Sequence, residues 1–372
     1  MKIVIDRNIR GAAETFGRHG DLQVMDGRTI RRADLVDADL LIIRTATRVD
    51  RDLLDGTAVR FVGTTSIGTD HLDIPYLDEA GIAWANAPGC NADSAAEYTL
   101  AMIWLACQRL GRHLDGSRAG IVGRGNVGGR TRRLLRVMGL DVVANDPPLA
   151  DQGVSDLVSL DEALDSDIVC LHVPLTRSGP YPTWRMIDAA ALGRMRPGAL
   201  LVNAARGDVI DGAALLDAVR ATHVHAALDV WPNEPRLDAR LLRRCVVATP
   251  HVAGYSEDGK RNGTRMVYAA FCAWAGIEPP AGDAPDEDGP SLTLDARKDA
   301  LTQALEAACF VPRHDAALRA LADRPAEEIA RGFDRLRKEY PFRRDFHGWR
   351  IRGARAADAG RLATLGFGLS DT

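Results

Sequence analysis

Lysine is scarce in this 372-residue sequence, occurring only at Lys2, Lys260, Lys298 and Lys338, so arginine carries nearly all of the positive charge. Lys and Arg total 47 against 51 Asp and Glu, a formal net charge of -4. No global basic field is present to hold a polyanion, so nucleic acid is not an expected partner. Long apolar runs are also lacking, and no stretch reads as a membrane span, so no membrane partner is expected. The six cysteines (Cys90, Cys107, Cys170, Cys245, Cys272, Cys309) lack the short spacings of zinc or redox pairs. They read as small reduced core residues, and no metal is expected. The sequence opens on the strand-like run Ile3 to Ile5, without the basic and then apolar segments of a signal peptide. A reducing cytoplasm is the expected location.

What is present is globular in character: 46% apolar and 26% charged, in a chain long enough for two or three domains. Short β-branched runs at Ile3–Ile5, Leu40–Ile43, Phe61–Thr64 and Ile82–Ala85 alternate with polar, helix-like stretches, which predicts parallel strands with crossover helices. A helix is expected from about Ala92 to Arg109, its Ala-, Leu- and Met-rich content pointing to burial. A second series follows at Ala119–Val122, Asp141–Ala144, Ile168–Val173, Leu200–Asn203, Ala226–Val230 and Val246–Ala248, and six such strands fit a complete doubly wound sheet. From Glu278 to Pro290 the composition is that of a linker, with four prolines and five acids. The remainder, including a helix-like Leu301–Phe310, suffices for a small third domain.

The motif Gly123-Arg124-Gly125-Asn126-Val127-Gly128 follows one strand candidate and precedes a helix-like segment. Glycines there permit a tight turn and the close approach of a pyrophosphate to a helix N-terminus. Asp146 ends the next strand, where a carboxylate can accept from ribose hydroxyls and repel a 2′-phosphate, which favours NAD over NADP. The ordinary alternative for Asp146 is a strand-end turn residue. Three later segments also follow strands: Asn203-Ala204-Ala205-Arg206, Leu228-Asp229 through Glu234, and Thr249-Pro250-His251-Val252-Ala253-Gly254. Strand C-terminal ends line the ligand crevice of a parallel sheet, so these residues can converge. Arg206 can clamp a carboxylate, His251 can exchange a proton, and Glu234 can orient the imidazole. Singly, a surface arginine, a loop-capping glutamate and a helix-capping histidine would be unremarkable; their order behind a dinucleotide motif is what joins them.

These segments resemble those of the D-2-hydroxyacid dehydrogenase family over about residues 40 to 275. The resemblance implies that Arg206 binds the substrate carboxylate and 2-oxygen, and that Glu234 supports His251 in handling the hydroxyl proton. It also implies that Asp229 lies close to the nicotinamide and Gly254 near the cofactor, which is NAD. Finer features resemble one branch of the family, extend the likeness nearly end to end, and imply a small phosphorylated 2-hydroxy acid as substrate. They are Ile5-Asp6-Arg7-Asn8, Arg44-Thr45-Ala46-Thr47, Gly68-Thr69-Asp70-His71, Pro88-Gly89-Cys90-Asn91, Ser178-Gly179-Pro180-Tyr181 and His251 through Tyr255. Ser66 stands where the branch has threonine, and Arg7 where it has an acid. The segment Phe333–Tyr340 is similar to the branch's C-terminal dimerisation domain and implies a homodimer.

The expected fold is α/β, with two Rossmann-like doubly wound parallel-sheet domains and a small C-terminal α+β dimerisation domain. Residues 1–92, with a return segment near 252–277, would bind substrate; 93–251 would bind NAD; 278–290 would link to the dimerisation domain at 291–372. A substrate with two anionic ends needs two anchors. Arg206 serves one, and the cluster of Arg44, Thr45 and Thr47 is expected at the other, with Ser66 and Tyr255 completing the pocket; the ordinary alternative pairs Arg44 with a nearby acid. His71, His172, His223 and His225 are expected to be structural, and Met102 and Trp104 to be core. Two other readings stay open: an enzyme of the same class acting on phosphoglycerate or a simple 2-hydroxy acid, and an NAD(H)-sensing binding protein without turnover.

Overall fold

The computed structural model describes residues 1–278 and 289–370. Most of the expected linker, 279–288, lies outside the described residues. The chain divides into two compact units, one formed by Met1–Asn91 with a segment beginning at Ser256, the other by Ala92–Tyr255 with the C-terminal segment.

The first unit holds β1 (Lys2–Asp6), β2 (Asp21–Met25), β3 (Leu40–Ile43), β4 (Phe61–Thr64) and β5 (Ala83–Ala85) in the order β2-β1-β3-β4-β5, every pair parallel. Successive side chains of a strand point to opposite faces. Ile3 and Ile5 of β1 accordingly join one buried cluster with Phe16, Phe61 and Phe271, while Val4 joins another with Leu41, Ile43 and Leu77. Both faces are covered, as a parallel sheet requires. The Glu257–Ala275 helix supplies Val267 and Phe271 to the first face; the Ser256 hydroxyl caps its start by accepting from Gly259 N–H at 2.9 Å, and Gly276 ends it at φ 66°. Gly63 of β4 lets this helix approach, since a Cβ there would lie 2.3 Å from Val267 Cγ1.

The second unit holds β6 (Arg118–Val122), β7 (Asp141–Asn145), β8 (Ile168–Leu171), β9 (Ala199–Asn203), β10 (Val224–Leu228) and β11 (Val247–Ala248), a parallel sheet in the order β11-β10-β9-β8-β6-β7. The strand order reverses between β6 and β8, and it is outside the C-terminal ends of strands at such a switch point that doubly wound sheets bind ligands. The expected helix is present as Ala92–Leu110, with Tyr98, Leu100, Met102 and Ile103 fully buried.

The C-terminal segment has its own small parallel sheet of β12 (Ser291–Thr293), β13 (Arg350–Arg352) and β14 (Gly368–Leu369), with helices at Ala300–Cys309, Val311–Arg319, Ala326–Lys338 and Ala356–Leu365. It does not keep a core to itself. Leu301, Leu305, Phe346, Ile351 and Leu362 join one cluster with Leu134, Leu135 and Met102, and Leu318 and Phe333 join another with Leu241 and Leu242. The segment expected as a third domain thus packs in the same unit as the six-stranded sheet.

Candidate active site

The glycine motif is built from three different requirements. Gly123, directly after β6, has φ 91°, and a Cβ on it would lie 2.8 Å from the His172 carbonyl carbon. Gly128, in the first turn of the Asn126–Val137 helix, passes so close that a Cβ would sit 1.9 Å from the Gly123 carbonyl oxygen. Gly125 differs: it caps the helix without a side-chain hydrogen bond, and a Cβ would meet nothing within 4 Å. The chain's own packing therefore demands two of the glycines, and the third leaves open the approach to uncapped N–H groups at the positive end of a helix. A pyrophosphate fits that cradle. Asn126 is exposed there and Val127 half-buried.

Asp146 ties this loop to the end of β7. Its Oδ2 accepts from Arg124 N–H at 2.7 Å, and its Oδ1 caps the Pro147–Asp151 helix by accepting from Leu149 N–H at 3.2 Å. The carboxylate therefore has a turn-forming role, in addition to any contact with a nucleotide.

The loops after β9, β10 and β11 are bound to one another. Asn203, fully buried at the end of β9, accepts Ala205 N–H at 3.0 Å and donates its amide to the Arg206 carbonyl at 2.9 Å. Arg206 itself is exposed; its Nη1 donates to the Ala205 carbonyl at 2.8 Å, and among the described residues no acidic side chain forms an ion pair with it. The next residue, Gly207, must be glycine, since a Cβ would lie 1.9 Å from the Trp231 carbonyl oxygen. Trp231 in turn donates its indole N–H to the Thr249 carbonyl at 2.9 Å. The Arg206 loop rests on the Glu234 loop, and the Glu234 loop on the His251 loop.

Nδ1 of His251 and Oε1 of Glu234 are 2.5 Å apart, and Glu234 Oε2 accepts Trp231 N–H at 3.2 Å. Burial pushes the Glu234 carboxyl up, but the hydrogen bond and charge of His251, the Trp231 N–H and the Arg337 guanidinium outweigh it and hold the carboxyl below its ordinary value. An ionised carboxylate only accepts, so Nδ1 carries the hydrogen and Nε2 is left to exchange a proton. Asp229 is buried at the end of the β10 loop crossing: its Oδ1 accepts from Thr249 Oγ1 at 2.6 Å and Val252 N–H at 3.0 Å, and its Oδ2 from Ala253 N–H at 2.9 Å. Its carboxylate organises the turn that carries His251 and Gly254. Tyr255 closes the turn with its N–H on the Val252 carbonyl at 2.9 Å, and its hydroxyl accepts from Arg337 Nη2 at 3.2 Å.

In the first unit, Arg44 Nε donates to Asp6 Oδ2 at 3.0 Å; Asp6 is fully buried and also accepts both the N–H and the side-chain amide of Asn8. The pairing of Arg44 with a nearby acid is thus present, through Nε, and the side chain remains 39% exposed. Thr45 is exposed and Ser66 half-buried. Thr47 corrects the expected cluster: it is buried and donates its hydroxyl to the Gly27 carbonyl at 2.8 Å, so it serves the fold.

Of the four histidines expected to be structural, two have hydrogen bonds to the fold around them. Burial lowers His172 to about 4, and neither of its ring nitrogens has a partner among the described residues. His71 bonds the Thr64 hydroxyl at 2.9 Å and His223 the Leu192 carbonyl at 3.1 Å. All six cysteines are buried and free, and the described residues contain no His, Cys, Asp and Glu group suited to a metal. No described helix is long and apolar enough to cross a membrane. Asn203, Thr249 and Arg337 have roles that the sequence reading did not assign; an amide closing the otherwise apolar Ala199–Asn203 strand is the one signal that was available.

Residues 91–253 match the family described as D-isomer specific 2-hydroxyacid dehydrogenase, NAD binding domain. A protein of Stutzerimonas stutzeri (strain A1501) named erythronate-4-phosphate dehydrogenase is 44% identical over 361 residues, covering 95% of this chain and 94% of the relative. One of the same name from Cellvibrio japonicus (strain Ueda107) is 42% identical, covering 99% of both. Among solved structures, D-lactate dehydrogenase from Aquifex aeolicus, complexed with NAD and lactic acid, superposes with a TM-score of 0.60 at 24% identity, over 74% of this chain and 96% of that one. That likeness is one of fold, and it agrees with the two doubly wound sheets expected from the sequence. The glycine cradle, the matched NAD-binding domain and the near full-length relatives agree: the chain belongs to the D-isomer specific 2-hydroxyacid dehydrogenase family, within the group of relatives named erythronate-4-phosphate dehydrogenase.

Proposed function

We propose that this NAD-dependent dehydrogenase oxidises 4-phospho-D-erythronate at C2 to (R)-3-hydroxy-2-oxo-4-phosphooxybutanoate, a step of pyridoxal 5′-phosphate (vitamin B6) biosynthesis. The observation that carries the chemistry is the Glu234–His251 contact, which fixes Nδ1 and leaves Nε2 as the one imidazole atom able to take a proton. The substrate is taken from the name of near full-length relatives.

In this reading neutral His251 accepts the C2 hydroxyl proton at Nε2 while C2 loses hydride. Glu234 stabilises the imidazolium that forms. Arg206 holds the carboxylate and stabilises the 2-oxygen as it becomes a carbonyl, which is positioning and electrostatics rather than covalent chemistry. When bound, NAD supplies the hydride acceptor. Gly123, Gly125, Asn126, Val127 and Gly128 would seat its pyrophosphate, Asp146 its ribose, and the Asp229 and Gly254 turn would face the nicotinamide. Arg44, Thr45, Ser66 and Tyr255 are assigned to the substrate. Residues 1–92 with the return segment would form the substrate domain, 93–251 the NAD domain and 291–372 the dimerisation domain of a cytoplasmic homodimer.

NADH formation with 4-phosphoerythronate, 3-phosphoglycerate and D-lactate, compared side by side, tests the substrate. A wild-type preference for either of the last two rejects it. Sedimentation of the full chain tests the dimer.

A further inference from the structure

We propose that Arg337, on the Ala326–Lys338 helix, forms with Tyr255 an anion-binding pair that takes the phosphate of the substrate, so that the C-terminal segment supplies part of the substrate site. The proposal rests on the substrate reading above.

Arg337 is half-buried, its guanidinium carbon 5.9 Å from the Tyr255 ring centre and 5.8 Å from that of Phe333. One terminal nitrogen donates to the Tyr255 hydroxyl, while Nε is buried without a partner, and among the described residues no acidic side chain forms an ion pair with the group. A desolvated guanidinium is strongly favoured to pair with an anion. The acid whose charge state it influences is Glu234, and both oxygens of that carboxylate are engaged, by His251 and by Trp231 N–H. Its remaining N–H groups are therefore unspent, within the field of the proton-transfer pair.

Tyr255 completes the site. Because its hydroxyl oxygen accepts from Arg337, its own hydrogen is free to be donated. The ring is held edge-on by Tyr340, 5.5 Å away at 80°, and its backbone belongs to the turn that carries His251. A guanidinium and a phenol donating side by side, both stiffened by packing, suit a phosphate monoester, whose terminal oxygens only accept at neutral pH. Arg206 is already assigned to the carboxylate at the other end of the molecule.

Arg337→Gln, Arg337→Lys and Tyr255→Phe are compared with the wild type on 4-phosphoerythronate and on unphosphorylated erythronate. Loss of a charge-assisted hydrogen bond predicts that Arg337→Gln raises KM for the phosphorylated acid about 10- to 100-fold. Removing a charge that acts on Glu234 changes turnover of both acids alike, so the discriminating quantity is the ratio of kcat/KM for the phosphorylated acid to that for erythronate. That ratio should fall about tenfold or more, and Arg337→Lys should recover part of the loss. Equal losses on both acids, or an unchanged KM, overturn the proposal. Equilibrium dialysis of inorganic phosphate against NADH-saturated protein reads the pair without turnover, and binding should weaken about tenfold or more in Arg337→Gln at an unaltered thermal midpoint. Should the wild type prefer erythronate, the substrate reading fails, and dialysis decides alone: undiminished phosphate binding in the variant overturns the anion pair. If Arg337→Gln does not fold, Arg337→Lys and Tyr255→Phe carry the same comparisons.

Discussion

The backbone N–H of His251 donates to the backbone carbonyl of Asp229 at 2.7 Å, and His251 makes that bond in a left-handed conformation, φ 57°. Such a backbone costs a non-glycine residue on the order of 1–3 kcal/mol and persists only where its surroundings impose it. Here the surroundings are Asp229 itself, whose carboxylate also takes the N–H groups of Val252 and Ala253 and the hydroxyl of Thr249. The imidazole is aimed by a buried side chain that need not touch the substrate.

Asp229→Ala removes one acceptor group and strands three buried donors, each worth about 1–3 kcal/mol when unpaired. We expect a lower urea midpoint and a fall in kcat of roughly 10- to 100-fold, as His251 loses its orientation. A folded variant with wild-type kcat would show that the turn holds its shape without the carboxylate.

His251→Ala should lower kcat by roughly 10²- to 10⁴-fold, the range for loss of a general acid or base, with NADH still bound as tightly. Glu234 acts through the imidazole, so the effects of the two residues should not add. His251→Ala combined with Glu234→Gln should be no slower than His251→Ala alone. A further tenfold loss in the double variant would give Glu234 a role of its own.

Much of this site could be read in the sequence because its parts are tied to strand ends. Runs such as Leu40–Ile43 and Ala199–Asn203 are buried on both faces and therefore almost continuously apolar, so each places the residues that follow it. β2 escaped notice for the opposite reason: Asp21–Met25 is an edge strand whose Asp21 and Val24 are exposed, and its pattern is too mixed to register. Thr47 and Thr45 have the same chemistry in sequence, and only the packing around Gly27 turns one hydroxyl inward. Arg337 lies far along the chain from Glu234 and Tyr255, and no local pattern announces a contact of that kind.

Asp146→Ser should shift the NADP-to-NAD ratio of kcat/KM toward NADP by about tenfold or more, through loss of a charge-assisted hydrogen bond to ribose and of repulsion toward a 2′-phosphate. Serine can still cap the Pro147–Asp151 helix, but its single hydroxyl cannot at the same time hold Arg124 N–H, so the variant should be less stable as well, by about 1 kcal/mol. A lowered thermal midpoint with an unmoved cofactor ratio would confine Asp146 to the turn.

Acid should destabilise the second unit while its exposed carboxylates are still ionised. Burial lowers His172 from 6.5 to about 4, so on lowering the pH below 6.5 the unfolded chain takes up a proton that the folded chain refuses. The stability this neutral ring contributes is therefore complete above 6.5 and lost as the pH falls toward 4, at up to ~1.4 kcal/mol per pH unit. His314, lowered to about 3 by burial and then by the Arg343 and Arg313 charges, adds to the same slope with the same sign. Urea titrations between pH 6 and 4.5 should show it, and His172→Leu should flatten the slope by about the share of one histidine. An identical slope in the variant would mean that His172 charges in the folded protein as readily as in the unfolded one.

Truncation after Gly276 tests whether the C-terminal segment is an appendage or part of the second unit's core. Leu301, Leu305, Phe346 and Leu362 are buried in one cluster with Leu134 and Leu135, and Phe333 and Leu318 in another with Leu241 and Leu242. Arg343, also buried, donates to the carbonyls of Ala253 and Ser94. Burying each large apolar side chain contributes about 1.5–3 kcal/mol. Six of them together match the ~5–15 kcal/mol by which a whole domain is stable. The truncated chain should accordingly be poorly soluble, bind a hydrophobic dye and lose its cooperative thermal transition, rather than survive as a folded, smaller species. A soluble truncated protein with the parent's thermal midpoint and NADH affinity would show that the second unit's core closes without residues 289–370.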